Sequence, residues 1–196
     1  MITRIFLDLD DVLNTLVPHV LHSLGCAIDP TDYAQYPKRH GWAISQAANE
    51  LRGGDYYSPA SFWSSVKREV WATAPKSPLC DWLVDTAARL VGRENVYVAT
   101  STTDFGDCLA GKLDWIHRNL PSWTWRQYLM TPCKHLLARP DALLIDDLTA
   151  NLQAWLANGG HTILVPAPWN ERWPLIDRAV RVVKEEFCQI FGILTK

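Results

Sequence analysis

The chain has 196 residues, of which 48% are hydrophobic and 20% charged, and its formal net charge is -2. This length suits one folded domain with one sizeable insertion, and the composition excludes a largely disordered chain. The near-neutral charge argues against tight binding to a long nucleic acid, which depends on many Lys and Arg residues. The sequence contains no run of about 18 apolar residues, the length that a membrane span would need. Its strand-like start does not resemble a signal peptide. Five cysteines without CxxC spacing favour reduced thiols, so we expect a cytoplasmic protein.

Short apolar runs predict strands of a buried parallel sheet. They cover residues 2–9, 95–99, 142–145 and 162–165, and residues 126–130 form a weaker candidate. Helical patterns lie between and after them, at residues 79–90, 109–120, 148–157 and 175–187. Strand and helix alternate from residue 78 onward, which predicts an α/β fold.

Residues 15–77 break this alternation. They contain several prolines and glycines with two or three helical segments between them, and Ser58-Pro59 has the residue types that begin a helix. We therefore predict a core made of residues 1–14 and 78–196, and a small helical cap made of residues 15–77.

Polar side chains gather where the predicted strands end. Asp8-Leu9-Asp10 follows the first strand, Thr100-Ser101 the second, Lys134 the weaker one and Asp146-Asp147 the next. Because functional groups of a parallel sheet collect at the carboxyl ends of its strands, we expect these residues to form one site.

This set of side chains suits the transfer of a phosphoryl group. Residues two apart in an extended segment point the same way, so Asp8 and Asp10 can face one ligand. One carboxylate can attack phosphorus while the other moves a proton. The two acidic strand ends offer the oxygen ligands that Mg²⁺ prefers, and Thr100 and Lys134 can hold the phosphoryl oxygens.

Four motifs in order resemble those of the haloacid dehalogenase (HAD) superfamily, and more narrowly the 5'(3')-deoxyribonucleotidases. The first motif is similar to the strand ending in Asp8-Leu9-Asp10, and the second resembles the strand ending in Thr100-Ser101. The lysine of the third motif matches Lys134, and the double Asp of the fourth matches Asp146-Asp147. The resemblance implies a Rossmann-like, three-layer α/β/α sheet with a helical cap inserted after the first strand.

The resemblance also implies roles for single residues. Asp8 would be the nucleophile, Asp10 the general acid and base, and Thr100, Ser101 and Lys134 the substrate-binding residues. Mg²⁺ would be held by Asp8, by the main-chain carbonyl of Asp10 and by Asp147, with Asp146 as the less favoured neighbour. Asp11 departs from the family, where Gly is usual, and Asn14-Thr15 replaces the usual Ala-Asp.

The expected activity is Mg²⁺-dependent hydrolysis of a nucleoside monophosphate through an aspartyl-phosphate intermediate. The expected partner is therefore a small phosphorylated substrate. A homodimer is possible, but the sequence does not decide the oligomeric state. The alternatives are a phosphatase of another small metabolite and a catalytically silent binding protein on the same fold. Arg126 or Arg139 could replace Lys134 if the weak strand is misplaced. Among the cap aromatics, Phe62 and Trp71 suit the core by their helical spacing, whereas Trp63 and Tyr57 are candidates for contact with a base.

Overall fold

A computed structural model describes residues 1–193. At its centre lies a five-stranded sheet in which every pairing is parallel, with the strand order β3-β2-β1-β4-β5. The strands are β1 (Arg4–Leu7), β2 (Val96–Thr100), β3 (Tyr128–Met130), β4 (Ala142–Asp146) and β5 (His161–Leu164). The predicted strands are thus all present, although residues 126 and 127 lie outside β3 because a 3-10 turn covers Ser122–Arg126.

The register of the sheet brings the predicted polar strand ends to one edge. Leu7 is level with Ile145, and the Asp8 amide donates to the Ile145 carbonyl at 2.9 Å. Strand order reverses between β1 and β4, the place where open α/β sheets bind ligands. Asp8 and Asp146 therefore flank this switch point.

Helices cover both faces of the sheet because successive strand residues point to opposite sides. Ile5 and Leu7 belong to the larger buried cluster, which includes Leu83 and Phe187, whereas Phe6 packs in a smaller cluster with Trp155. The core helices are α5 (Cys80–Val91), α6 (Gly106–Asn119), α7 (Thr149–Ala157) and α8 (Ala179–Phe191). The predicted three-layer α/β/α fold is confirmed.

Two helix ends show how the local sequence works. Ser77 Oγ accepts from the Leu79 amide at 3.2 Å just before α5, and Gly92 ends that helix at a φ of 86°. The last helix begins later than the predicted residue 175, because a 3-10 turn with a proline in its first turn covers Trp173–Arg178.

Residues 15–77 hold four helices: α1 (Leu16–Ser23), α2 (Ile44–Arg52), α3 (Pro59–Ser65) and α4 (Arg68–Thr73). The Ser58 side chain accepts from the Ser61 amide at 3.1 Å, which caps α3 as the Ser-Pro pair predicts. The two ends of the segment lie side by side. The Ser77 amide donates to the Leu13 carbonyl at 2.9 Å, and Asn14 and Lys76 form an isolated antiparallel β-bridge.

Within residues 1–193, no helix is long and apolar enough to cross a membrane.

Candidate active site

A buried lysine joins two of the acidic strand ends. Lys134, only 2% exposed, places its Nζ 2.8 Å from Asp8 Oδ1 and 2.7 Å from Asp146 Oδ2. Lys134 begins the 3-10 turn Lys134–Leu137 that follows β3, so the weak third strand does lead to the predicted lysine. The proposed substitutes, Arg126 and Arg139, are both exposed on the surface.

The two acids after β4 have different surroundings. Asp146 is fully buried, and its oxygens accept hydrogen bonds from Lys134, from the Leu148 amide and from the Asn151 side chain. The neighbouring Asp147 accepts from Trp169 Nε1 at 2.6 Å through one oxygen only. Asn151 therefore supports Asp146, and Asp147 is the acid with more capacity left for a ligand.

Three carboxylates converge closely enough to hold a metal ion. One oxygen each from Asp8, Asp146 and Asp147 lies within 4.8 Å of the others, and all three residues are buried. A donor set made only of carboxylate oxygens suits a hard cation such as Mg²⁺ rather than a softer transition metal. The predicted magnesium site fits these residues.

Burial also sets the charge state of these carboxyls. It raises the pKa of Asp8 to about 7, with Lys134 acting in the opposite direction and Asp146 adding to the rise. Burial and the neighbouring Asp146 raise the pKa of Asp147 well above its usual value. Burial lowers the pKa of Lys134, but the charges of Asp8 and Asp146 outweigh it and raise that pKa above its ordinary range. A bound cation would favour the ionised form of each carboxyl.

Asp10 is held from two sides by residues that the sequence did not assign to the site. Lys112 Nζ lies 2.6 Å from Asp10 Oδ2, and the Asn14 side-chain amide donates to Asp10 Oδ1 at 3.3 Å. Lys112, on α6, also donates to Thr100 Oγ1 at 2.8 Å and to the Ser101 carbonyl. This lysine links the first and second motifs directly.

Thr100 and Ser101 lie at the end of β2, and both contact Lys112, which also contacts Asp10. Thr100 is fully buried and Ser101 is half-buried. The Ser101 hydroxyl donates to the Thr131 carbonyl at 3.5 Å, on the way from β3 to Lys134. The structure thus gathers Asp8, Asp10, Thr100, Ser101, Lys134, Asp146 and Asp147 at the carboxyl edge of the sheet.

Asp11 adopts a left-handed backbone conformation, with a φ of 57°. Such a φ favours Gly, and Asp tolerates it better than most residues. Asp11 Oδ1 accepts from the Tyr33 hydroxyl at 2.7 Å and from the Val17 amide at 3.0 Å, so the carboxyl connects the turn after β1 to the inserted segment. Burial raises the pKa of Asp11 to about 8.

Aromatic residues of the inserted segment fall into two groups. Trp42 and Tyr36 pack edge to face on Trp169, the same residue that donates to Asp147. Trp42 is 43% exposed, so part of this group faces solvent. In the other group Phe62 and Trp71 are buried as expected. Trp63, which stacks on Trp71, and Tyr57, which packs on Phe62, are half-buried.

Solved structures share this fold at low sequence identity. A HAD family hydrolase from Deinococcus radiodurans, solved with phosphate and sodium, is 15% identical with a TM-score of 0.54, and the match covers 99% of this chain and 98% of that one. A HAD family enzyme from Bacteroides thetaiotaomicron, solved with magnesium and inorganic phosphate, is 14% identical with a TM-score of 0.43, covering 89% and 99%. A predicted HAD-like hydrolase from Porphyromonas gingivalis is 18% identical with a TM-score of 0.43, covering 92% and 98%. No curated protein matches the sequence significantly.

The parallel sheet and the acidic cluster at its edge fit the class of HAD-type phosphoric monoester hydrolases, and the family match supports that class. Within that class, the family described as "5' nucleotidase, deoxy (Pyrimidine), cytosolic type C protein" matches residues 60–185, more than half of the chain. The chain belongs to this family, and the resemblance found in its motifs is confirmed.

Proposed function

We propose that this enzyme hydrolyses nucleoside monophosphates, with a deoxyribonucleotide as the first substrate to test. The observation that supports the proposal is the Lys134 bridge between Asp8 and Asp146, because it brings the proposed nucleophile and the proposed anchoring cation together beside Asp147 at one edge of the sheet. The family match supports the choice of nucleotides, although it begins at residue 60 and does not include the first motif.

Asp8 is the proposed nucleophile. One of its oxygens, Oδ1, is held by Lys134 and by the Leu9 amide at 2.8 Å. This leaves Oδ2 to attack phosphorus and form the aspartyl-phosphate while the bond from phosphorus to the ester oxygen breaks. Thr100, Ser101 and Lys134 would bind the phosphoryl oxygens as negative charge shifts toward them.

Asp10 is the proposed proton carrier. It would give a proton to the departing alcohol oxygen and later take one from the water that attacks the aspartyl-phosphate. The second step releases inorganic phosphate and restores the Asp8 carboxylate. Its carboxyl group contacts Lys112 Nζ at 2.6 Å and the Asn14 side-chain amide at 3.3 Å.

Asp8, Asp147 and the main-chain carbonyl of Asp10 would hold Mg²⁺, with Asp146 acting through its hydrogen bonds to Lys134 and Asn151. When bound, the cation would reduce the repulsion between the attacking carboxylate and an anionic phosphate.

Residues 15–77 are the proposed cap that selects the substrate. The close pairing of residues 13–15 with residues 75–77 gives this segment a narrow connection to the core. The five free thiols support a proposed cytoplasmic location, and a homodimer stays a prediction.

A substrate panel tests the proposed activity. Initial rates on nucleoside monophosphates and on sugar phosphates, with and without Mg²⁺, should favour the nucleotides and require the cation. Equal rates across the panel would remove the nucleotidase proposal and leave a general phosphatase. Asp8→Asn should abolish turnover of p-nitrophenyl phosphate, and acid-quenched wild-type protein should carry a phosphoryl group that the variant lacks.

A further inference from the structure

Lys112 is a buried cation without a role in the mechanism described so far. It is 3% exposed, and its ammonium contacts three acceptors: Asp10 Oδ2, Thr100 Oγ1 and the Ser101 carbonyl. An ammonium group has three N–H donors, so these contacts use all of them. Lys112 therefore has no proton left for a phosphoryl oxygen in this arrangement.

The surroundings of Lys112 keep the ammonium in place. Its Nζ lies 5.4 Å from the ring centroid of Trp71, a residue of α4 in the inserted segment. Its neighbour Gly111 allows α4 to approach closely, since a Cβ at Gly111 would lie 2.4 Å from Trp71 Cβ. The Lys112 side chain is 3% exposed and the Asp10 side chain 18%, and this partial burial strengthens the electrostatic contact between them.

We propose that Lys112 is a positioning residue for Asp10, an inference that rests on the proposed role of Asp10 in proton transfer. Lys112 fixes Asp10 Oδ2 and Asn14 fixes Asp10 Oδ1, so the plane of the carboxyl group cannot rotate freely. Geometry of this kind determines how well a side chain delivers a proton to a leaving oxygen.

The leaving group of the substrate separates this role from a purely structural one. p-Nitrophenolate is a stable anion that departs with little help from an acid, whereas phenolate needs protonation much more. The ratio kcat/KM reports only the steps up to cleavage of the ester bond, before the aspartyl-phosphate that both substrates share is hydrolysed. Because a positioned general acid contributes about 10²–10⁴-fold, we expect Lys112→Met to lower kcat/KM for phenyl phosphate at least about tenfold more than kcat/KM for p-nitrophenyl phosphate. The inhibition constant of inorganic phosphate should change little, because the ammonium of Lys112 is fully used by Asp10, Thr100 and Ser101.

Two outcomes would overturn the inference. An equal loss of kcat/KM on both substrates would mean that Lys112 only supports the fold, and weaker inhibition by inorganic phosphate without a leaving-group effect would make it a phosphate ligand. Lys112→Gln, which keeps an N–H donor, should show the same leaving-group effect in weaker form and serves if the Met variant does not fold. Lys184→Met is the matched control. Lys184 lies on the distant helix α8, and its ammonium group also lies over an indole ring, that of Trp82.

Asp10→Asn distinguishes failure of this inference from failure of the proposed mechanism. If Asp10→Asn shows the leaving-group effect and Lys112→Met does not, only the role of Lys112 is wrong. If Asp10→Asn shows no such effect, the proton-transfer role of Asp10 is itself wrong. Combining Lys112→Met with Asp10→Asn should add no further leaving-group effect, because both changes remove the same function.

Discussion

Lys134→Met is the sharpest test of the bridge between the acidic strand ends. The lysine is almost fully buried and lies within 2.8 Å of Asp8 and within 2.7 Å of Asp146. Methionine keeps the length of the side chain but removes the cation, which leaves two neighbouring carboxylates buried without a counter-charge. Removing one partner from a buried ion pair costs about 3–5 kcal/mol, so we expect the free energy of unfolding to fall by that amount.

The same change should alter the pH dependence of the reaction. Lys134 lowers the pKa of Asp8, which is about 7 when the lysine is present. Without it that pKa rises, so less of the nucleophile is ionised at neutral pH. We expect kcat at pH 7 to drop by about 10²–10³-fold, the usual loss of a charge-stabilising donor, and the acid limb of the pH profile to move upward.

Urea unfolding and a pH series with p-nitrophenyl phosphate measure the two effects. Lys76→Met is the control, because Lys76 makes a 2.6 Å ion pair with the exposed Asp81, and such surface pairs contribute about 0–1 kcal/mol. A loss of less than about 1 kcal/mol in Lys134→Met, together with an unshifted acid limb, would refute the reasoning.

Three further predictions follow from single features of the structure. Gly111→Ala should lower the free energy of unfolding, measured in urea, by about 1–3 kcal/mol, since the new Cβ would lie 2.4 Å from Trp71 Cβ. In the control Gly106→Ala the new Cβ meets no atom within 4 Å, so the free energy of unfolding should change by less than about 1 kcal/mol. Equal effects of the two substitutions would contradict the close packing at Gly111. Burial raises the pKa of Asp11 from its ordinary 3.8 to about 8, so its stabilising contribution is present below the lower value and is lost as the pH rises through the higher one. The free energy of unfolding of Asp11→Asn should therefore fall less between pH 4 and 8 than that of the wild type, and parallel curves would show that Asp11 does not titrate in this range. Mg²⁺ should raise the thermal midpoint more at pH 8 than at pH 6, because the cation competes with the proton on Asp8, whose pKa is about 7; a shift independent of pH would place the cation elsewhere.

The sequence predicted the parts of the site that depend on local pattern. An apolar strand followed at once by a carboxylate or hydroxyl residue can be recognised without knowing the strand order. Parallel pairing then brings all such ends to one edge, which is why the sequence could predict that Asp8, Thr100, Lys134 and Asp147 lie at the same edge of the sheet.

Lys112 was missed because its position depends on tertiary contacts. A lysine on a helix usually lies on the solvated face, and nothing in the sequence of α6 shows that Trp71 would cover this one. The adjacent Gly111 was the available signal, since a glycine inside a helix is destabilising and often marks close packing. Trp169 and Tyr33 were missed for a similar reason, as both reach the site from loops.

Asp11 shows a different limit. The sequence identified it as a departure from Gly but could not say what the carboxyl does. The role of the carboxyl depends on Tyr33, which lies 22 positions further along the chain, within the inserted segment, and donates a hydrogen bond to Asp11. Local propensity predicts only that the turn is unusual, and the long-range hydrogen bond explains how it is held.

The packing of α4 against the core implies that any part of the insertion that could open is shorter than the whole insertion. Trp115 Nε1 of α6 donates to the Ala74 carbonyl at 2.6 Å, and Arg118 donates to the Ala72 carbonyl at 3.1 Å. Arg68 adds an ion pair with Asp114 at 2.7 Å. These contacts fasten the C-terminal end of the insertion to the core, so a pivot that preserves them must lie before residue 68. Any part of the insertion that opens would then be shorter than the segment that interrupts the sheet, and its C-terminal pivot would lie before α4 rather than at the paired linkers.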